Sequence, residues 1–180
     1  MKKVFFVLFC ALFATALFIG CGSTKQTGNK EWWHNEFLAG KIATEIMGEP
    51  AIAGVGASNL SGISAEQSAR LAARGALAQR IGDAVSDERN RNLDGATGNE
   101  DAEKFNQELK GVSEQVLSGA AQVDYYFDEQ KGTTYVLMGL PLEGLDKKLQ
   151  SASMKSNNKE VREFMNQLTI EKMKEMFNVR

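Results

Sequence analysis

The stretch from Ser64 to Ser86 constrains this chain most. Ala69, Ala73, Ala76, Leu77, Ile81 and Ala84 recur there at the spacing of one helix face, and four of the six are alanine. A buried face made of methyl groups fills little space, so the helix has to lie close against a flat neighbour, a sheet. Upstream, residues 51–58 read AIAGVGAS, a short apolar run that predicts a strand. Gly54 and Gly56 in its middle suit a close backbone approach or a bulge. Gly54-Val55-Gly56 also hints at a dinucleotide loop. However, Asn59 stands where the third glycine belongs, and the helix begins too late to receive a phosphate on its N-terminus. Ser64-Ala65-Glu66-Gln67 predicts a capping box at the start of that helix.

The remaining pattern predicts a small antiparallel sheet. Residues 87–100, DERNRNLDGATGNE, read as a loop or a frayed helix end, followed by a helix over about 101–110 with Phe105 and Leu109 as its apolar contacts. The end of 116–128 alternates: Ala121, Val123, Tyr125 and Phe127 point one way, Gln122, Asp124, Tyr126 and Asp128 the other, as in a strand with one buried face. Glu129-Gln130-Lys131-Gly132 is turn chemistry, and TTYVLMGL, 133–140, returns as the hairpin partner. Leu142, Leu145 and Leu149 predict a short helix, and 151–159 a linker. One amphipathic helix is expected over 160–178, with stripes Val161, Phe164, Met165, Leu168 and then Met173, Met176, Phe177. The fold expected is α+β, a small antiparallel sheet packed on an Ala-rich helix, with a C-terminal helix.

The chain opens with Met1-Lys2-Lys3, then an uncharged run over 4–20, the pattern of a secretory signal. Phe18-Ile19-Gly20-Cys21 resembles a lipobox, in which Cys21 is acylated and becomes the first residue. Phe18 and Ile19 are bulkier than the usual residues there. Ala14-Thr15-Ala16 offers an ordinary cleavage site instead, and a retained anchor is a further alternative, although the run is short of the about 20 residues of a span. Gly22–Lys30 is a polar tether of flexible composition. The expected organisation is a signal over 1–20, a lipidated tether over 21–30, an α+β domain over 31–158 and the terminal helix over 159–180. Removal of 1–20 takes away two lysines, Cys10 and no acid, so the net charge goes from −2 to −4 and Cys21 has no disulfide partner. Without a basic surplus, nucleic acid is not an expected partner.

Several residues are candidates for interaction. Trp32 and Trp33, with Phe37, either pin the start of the domain to its core or touch a membrane interface or partner. Arg70, Arg74 and Arg80 could form an anion site or a solvated face paired with acids. Met173, Met176 and Phe177 offer an adaptable contact surface or pack back on the domain. His34 is the single histidine, so Ser64 and Ser68 lack a base, and no metal-ligand spacing is present. No enzyme activity, cofactor or metal is expected.

The strand AIAGVGAS, the helix SARLAARGALAQRIG and the strand TTYVLMGLP together resemble the LPP-20-type lipoproteins of the bacterial outer membrane, a group to which the FlgP-like flagellar lipoproteins are similar. The resemblance covers roughly 50–150 and the lipobox; the last helix has no place in the family pattern. It implies a compact, somewhat dodecin-like α+β unit anchored by lipid at the outer membrane. It also implies a structural part in the envelope, in some relatives at the flagellar base. The expected function is that of a self-associating structural lipoprotein, with its own copies or envelope and flagellar-base proteins as partners. A periplasmic small-ligand or peptide-binding lipoprotein is the alternative, with the arginines and hairpin tyrosines lining a groove.

Overall fold

The computed structural model describes residues 31–92 and 99–179. The expected signal, the expected tether and Cys21 lie outside the described residues, as does the part of the expected loop at 93–98. The chain enters through a 3-10 turn, Trp32–His34, and α1, Glu36–Met47. It continues through β1, Ala51–Ser58, and α2, Ile63–Asn92. After α3, Asn99–Val116, and a second 3-10 turn, Leu117–Gly119, come β2, Ala121–Asp128, and β3, Thr133–Pro141. Three helices close the fold: α4, Leu145–Ser153, α5, Lys159–Met165, and α6, Ile170–Met176.

This is an α+β fold around a three-stranded antiparallel sheet of order β1-β3-β2. The alternation of β3 divides the core. Val136, Met138 and Leu140 face the side of α2, while Tyr135 and Leu137 face α1 and Trp32. The Ala-rich helix lies against the sheet as its small face demands. An ideal Cβ at Gly56 would sit 2.0 Å from the Ala69 carbonyl oxygen, and one at Gly54 2.4 Å from that of Ala73. The glycines therefore set the distance between the layers. Ala69, Ala73, Leu77, Ile81 and Val85 are fully buried on α2. The stripe runs on beyond the sheet to meet Phe105 and Leu109 of α3 in one continuous core.

Four expectations need correction. First, α1 was not anticipated: it is 12 residues long, capped by the Asn35 side chain accepting from the Leu38 amide, and closed by Gly48 at φ 73°. Second, Ser64 is not an N-cap. α2 begins one residue earlier, at Ile63 after Gly62 at φ 65°, so Ser64 lies inside the first turn, and the helix runs past Ser86 to Asn92. Third, β2 carries an irregularity between Gln122 and Asp124, so the simple alternation breaks at Val123. Fourth, the single terminal helix is two. Asn158 caps α5, and Thr169 caps α6 by accepting from the Lys172 amide at 3.2 Å. The two predicted stripes differ in direction on one straight helix. The break at 166–169 lets both turn inward, and Leu168 is buried between them.

Candidate interaction surface

Trp32 and Trp33 divide the roles expected of them. Trp32 is buried, and its Nε1 donates to Asp124 Oδ2 at 3.1 Å, which ties the start of the domain to β2. Trp33 is partly exposed. Its ring stacks on Tyr126 with centroids 3.9 Å apart and an interplanar angle of 8°, and it lies 5.8 Å from Tyr135. Phe37 does not join the core: it is 74% exposed at the start of α1. His34 sits at the rim of the aromatic group, 6.1 Å from Trp33 and from Tyr135. The hairpin tyrosines on this face are thus occupied with the chain's own tryptophan.

The irregularity in β2 decides what the strand shows outside. Before it, Gln122 pairs with Met138; after it, Asp124 pairs with Leu137, Tyr125 with Val136 and Phe127 with Thr134. Val123 therefore stays with Asp124 and Tyr126 on the tryptophan side. Tyr125 and Phe127 share the face of Val136, the α2 side. That helix lies over β1 and β3, and on the outer strand Tyr125 and Phe127 remain 41% and 45% exposed. They were expected to form a buried face with Ala121 and Val123. Ala121 is exposed as well, and Val123 alone is buried.

The two outer strands differ. β1 is enclosed, with Ala51, Ile52 and Ala53 buried and Arg80 Nη1 donating to the Ala53 carbonyl at 3.2 Å. β2 pairs with β3 along one edge and with no strand along the other among the described residues, and its charges are spoken for. Asp124 is buried, with Trp32 on one oxygen and the Tyr125 amide on the other at 2.8 Å. Asp128 accepts from the amides of Gln130 and Lys131 in the turn and pairs with Lys131 Nζ at 3.5 Å.

The arginine set does not converge on a free anion site. Arg70 donates to Gln122 at 2.8 Å and to Glu66 at 2.7 Å, Arg74 donates to the Leu117 carbonyl at 3.1 Å, and Arg80 is held at Ala53. Arg70 alone follows the solvated, acid-paired reading, through Glu66 of its own helix, while its bond to Gln122 and those of Arg74 and Arg80 to carbonyls fasten α2 to its surroundings. The terminal contact surface is corrected as well. Met173 and Phe177 are buried in the main core, and Met176 packs against it.

Charge holds this terminal unit in place. Arg89, almost fully buried near the end of α2, pairs with Glu160 at 2.6 Å and lies 4.4 Å from the ring centre of Phe105. Glu88 pairs with Lys172 at 2.9 Å. The Lys172 ammonium is held above the ordinary lysine range, chiefly by its hydrogen bond to Glu88 and then by that to Glu175.

Two concavities among the described residues are open grooves. One of about 800 Å³ runs between α2 and α3 past Arg74, Ala78, Gly82, Leu109 and Lys110; one of about 780 Å³ lies beside Phe37, Gly40 and Phe177. Among the described residues no group of acids, histidines and cysteines could hold a metal, and no helix is long and apolar enough to cross a membrane. No protein-family model matches the chain, and no curated protein matches it.

Proposed function

We propose that this protein is a lipid-anchored structural lipoprotein of the bacterial envelope that self-associates through its folded part and carries no catalytic activity. The observation that supports assembly is the outer strand β2, which presents Tyr125 and Phe127 to solvent on a side of the sheet where no further strand pairs among the described residues. A sheet edge of that kind is a template for another strand, and proteins usually blunt it with charge or cover. Anchoring rests on Phe18-Ile19-Gly20-Cys21 and the polar tether after it. Two or more acyl chains on Cys21 hold a protein stably at a membrane. The likeness of its strand and helix motifs to the LPP-20-type lipoproteins supports an outer-membrane site, with copies of itself or flagellar-base proteins as partners.

The test has two parts. Membrane fractionation of cells carrying Cys21→Ala should move the protein out of the membrane fraction. Light scattering of the full-length protein in detergent, over a range of concentrations, should give a discrete oligomer. Unchanged fractionation would refute the anchor, and a monomer at every concentration would refute the assembly.

A further inference from the structure

We infer that the α1 side of the sheet is the side that rests on the membrane, with Phe37 set into the boundary between lipid headgroups and acyl chains. This rests on the Cys21 anchor proposed above and says which face of the domain that anchor holds down.

The sheet divides the molecule into two sides. α2 and the helices that share its core lie on one, and Trp32, Trp33 and α1 lie on the other. The described chain therefore begins on the α1 side. Trp32 is fixed there by Asp124 and Trp33 by its stack on Tyr126, so the entry at Glu31 is tied to this side of β2. Cys21 stands ten residues before Glu31, a reach of at most about 35 Å for extended chain. A short flexible link of that kind holds a surface at an effective concentration of about millimolar, so a contact too weak to bind a free protein is populated.

Phe37 is the group on that side suited to such a contact. Ala39, Ile42 and Ala43 of α1 are buried toward the sheet, and helical spacing then leaves Phe37 and Lys41 on the row that points away from it. The Phe37 ring is 74% exposed in the first turn of the helix. Trp33 lies in the same layer, partly exposed, with Tyr126 and His34 around it. Tryptophan and tyrosine favour the headgroup level, where one end of the ring is apolar and the other wet. Further along the exposed side of α1, Lys41 and Glu45 pair at 3.8 Å with side chains 62% and 64% exposed. Those charges keep the rest of the helix among the headgroups, so that only its first turn enters deeper. Tyr125 and Phe127 face the α2 side, which this orientation leaves open for assembly between copies on one membrane.

The experiment uses the full-length protein, purified with its lipid, in phosphatidylethanolamine–phosphatidylglycerol vesicles with and without bromine on the acyl chains near the headgroup. Bromine quenches a tryptophan that it touches. Each probe is placed in a Trp33→Phe background, where buried Trp32 gives a constant signal, and circular dichroism checks the fold. Phe37→Trp should lose emission in the brominated vesicles. Leu71→Trp should not: Leu71 is 71% exposed, but it stands on α2, between Ala69 and Ala73 and turned away from the sheet they face. The two probes are the same residue, so the preference of tryptophan itself for lipid cancels between them. Flotation of the vesicles reads the anchor separately. If the protein does not float with them, the anchor reading fails and this inference with it. If it floats and Phe37→Trp keeps its emission, the anchor stands and this face is refuted. Equal quenching of Phe37→Trp and Leu71→Trp would mean that no face is preferred, and would refute it too.

Discussion

Gly56→Ala is the sharpest test of how the helix and sheet layers meet. The added methyl would lie 2.0 Å from the Ala69 carbonyl oxygen and 2.2 Å from the Ala73 amide nitrogen. Both are backbone atoms of α2, so no side chain can swing away. Ordinary contact begins at 3.4 Å, so the helix must withdraw by about 1.4 Å at that turn. A gap of 0.5–1 Å already forfeits a quarter to a half of the dispersion well of each contact across it. Ala69, Ala73 and Leu77, all fully buried, would feel it together. Overpacking commonly costs about 1–3 kcal/mol, and with backbone on both sides the expected loss is about 3–4 kcal/mol, a fall in melting temperature of roughly 10 °C. Urea unfolding followed by tryptophan fluorescence reads it directly, since Trp32 and Trp33 both sit in the folded part. Gly40→Ala is the matched control. Gly40 lies inside α1, with no atom within 4 Å of its would-be Cβ, so the same change should stabilise by about 0.5–1 kcal/mol through helix propensity. A Gly56→Ala protein as stable as the parent would refute the close-approach reasoning.

Trp32→Phe keeps the ring but removes the donor to the buried Asp124 carboxylate; a loss of about 1.5–3 kcal/mol is expected in the same unfolding assay, and Trp33 still reports it. Arg89→Met removes both the Glu160 pair and the cation over Phe105. Because Glu160 is partly solvated, the expected cost is about 2 kcal/mol, with faster hydrogen exchange in α5 and α6 than in the sheet. Lys172 has a folded pKa above its unfolded value, so its pairing contributes in full below about pH 10.4 and is lost as pH rises through the folded pKa. Alkaline titration should therefore loosen α6 in the parent, and Lys172→Met should abolish that pH-dependent step.

Much of the layer architecture was legible because it rests on period and residue size. The run AIAGVGAS became β1 over the predicted residues, the 133–140 run became β3, and the alanines of α2 marked the side that meets the sheet. What escaped depends on tertiary contacts. In α1, seven of the 12 residues are apolar, but only Ala39, Ile42 and Ala43 are buried, and they become the inward face only once β1 and Trp32 lie beneath them. In β2 the letters alternate cleanly, but an irregularity at Val123, driven by no residue that marks it, turns Tyr125 and Phe127 to the other side. The candidate surface was read from the wrong residues for a related reason. Methionines and arginines advertise contact by type, whereas burial and hydrogen bonding decide whether that contact is internal. Met173 and Phe177 went into the core, and the arginines went to carbonyls and to Gln122.

The bond between Trp32 and Asp124 also has a mechanical meaning. Glu31, at φ 82°, turns the chain into the fold one residue before Trp32 is buried. A pull on the chain from its N-terminal side is therefore met first by an indole wedged under the sheet, before any rung of the strand ladder is stressed. Its load passes through one side-chain bond into the middle of β2, sideways to the strand. Such a load enters the sheet through β2 and does not peel the fold from its N-terminal side.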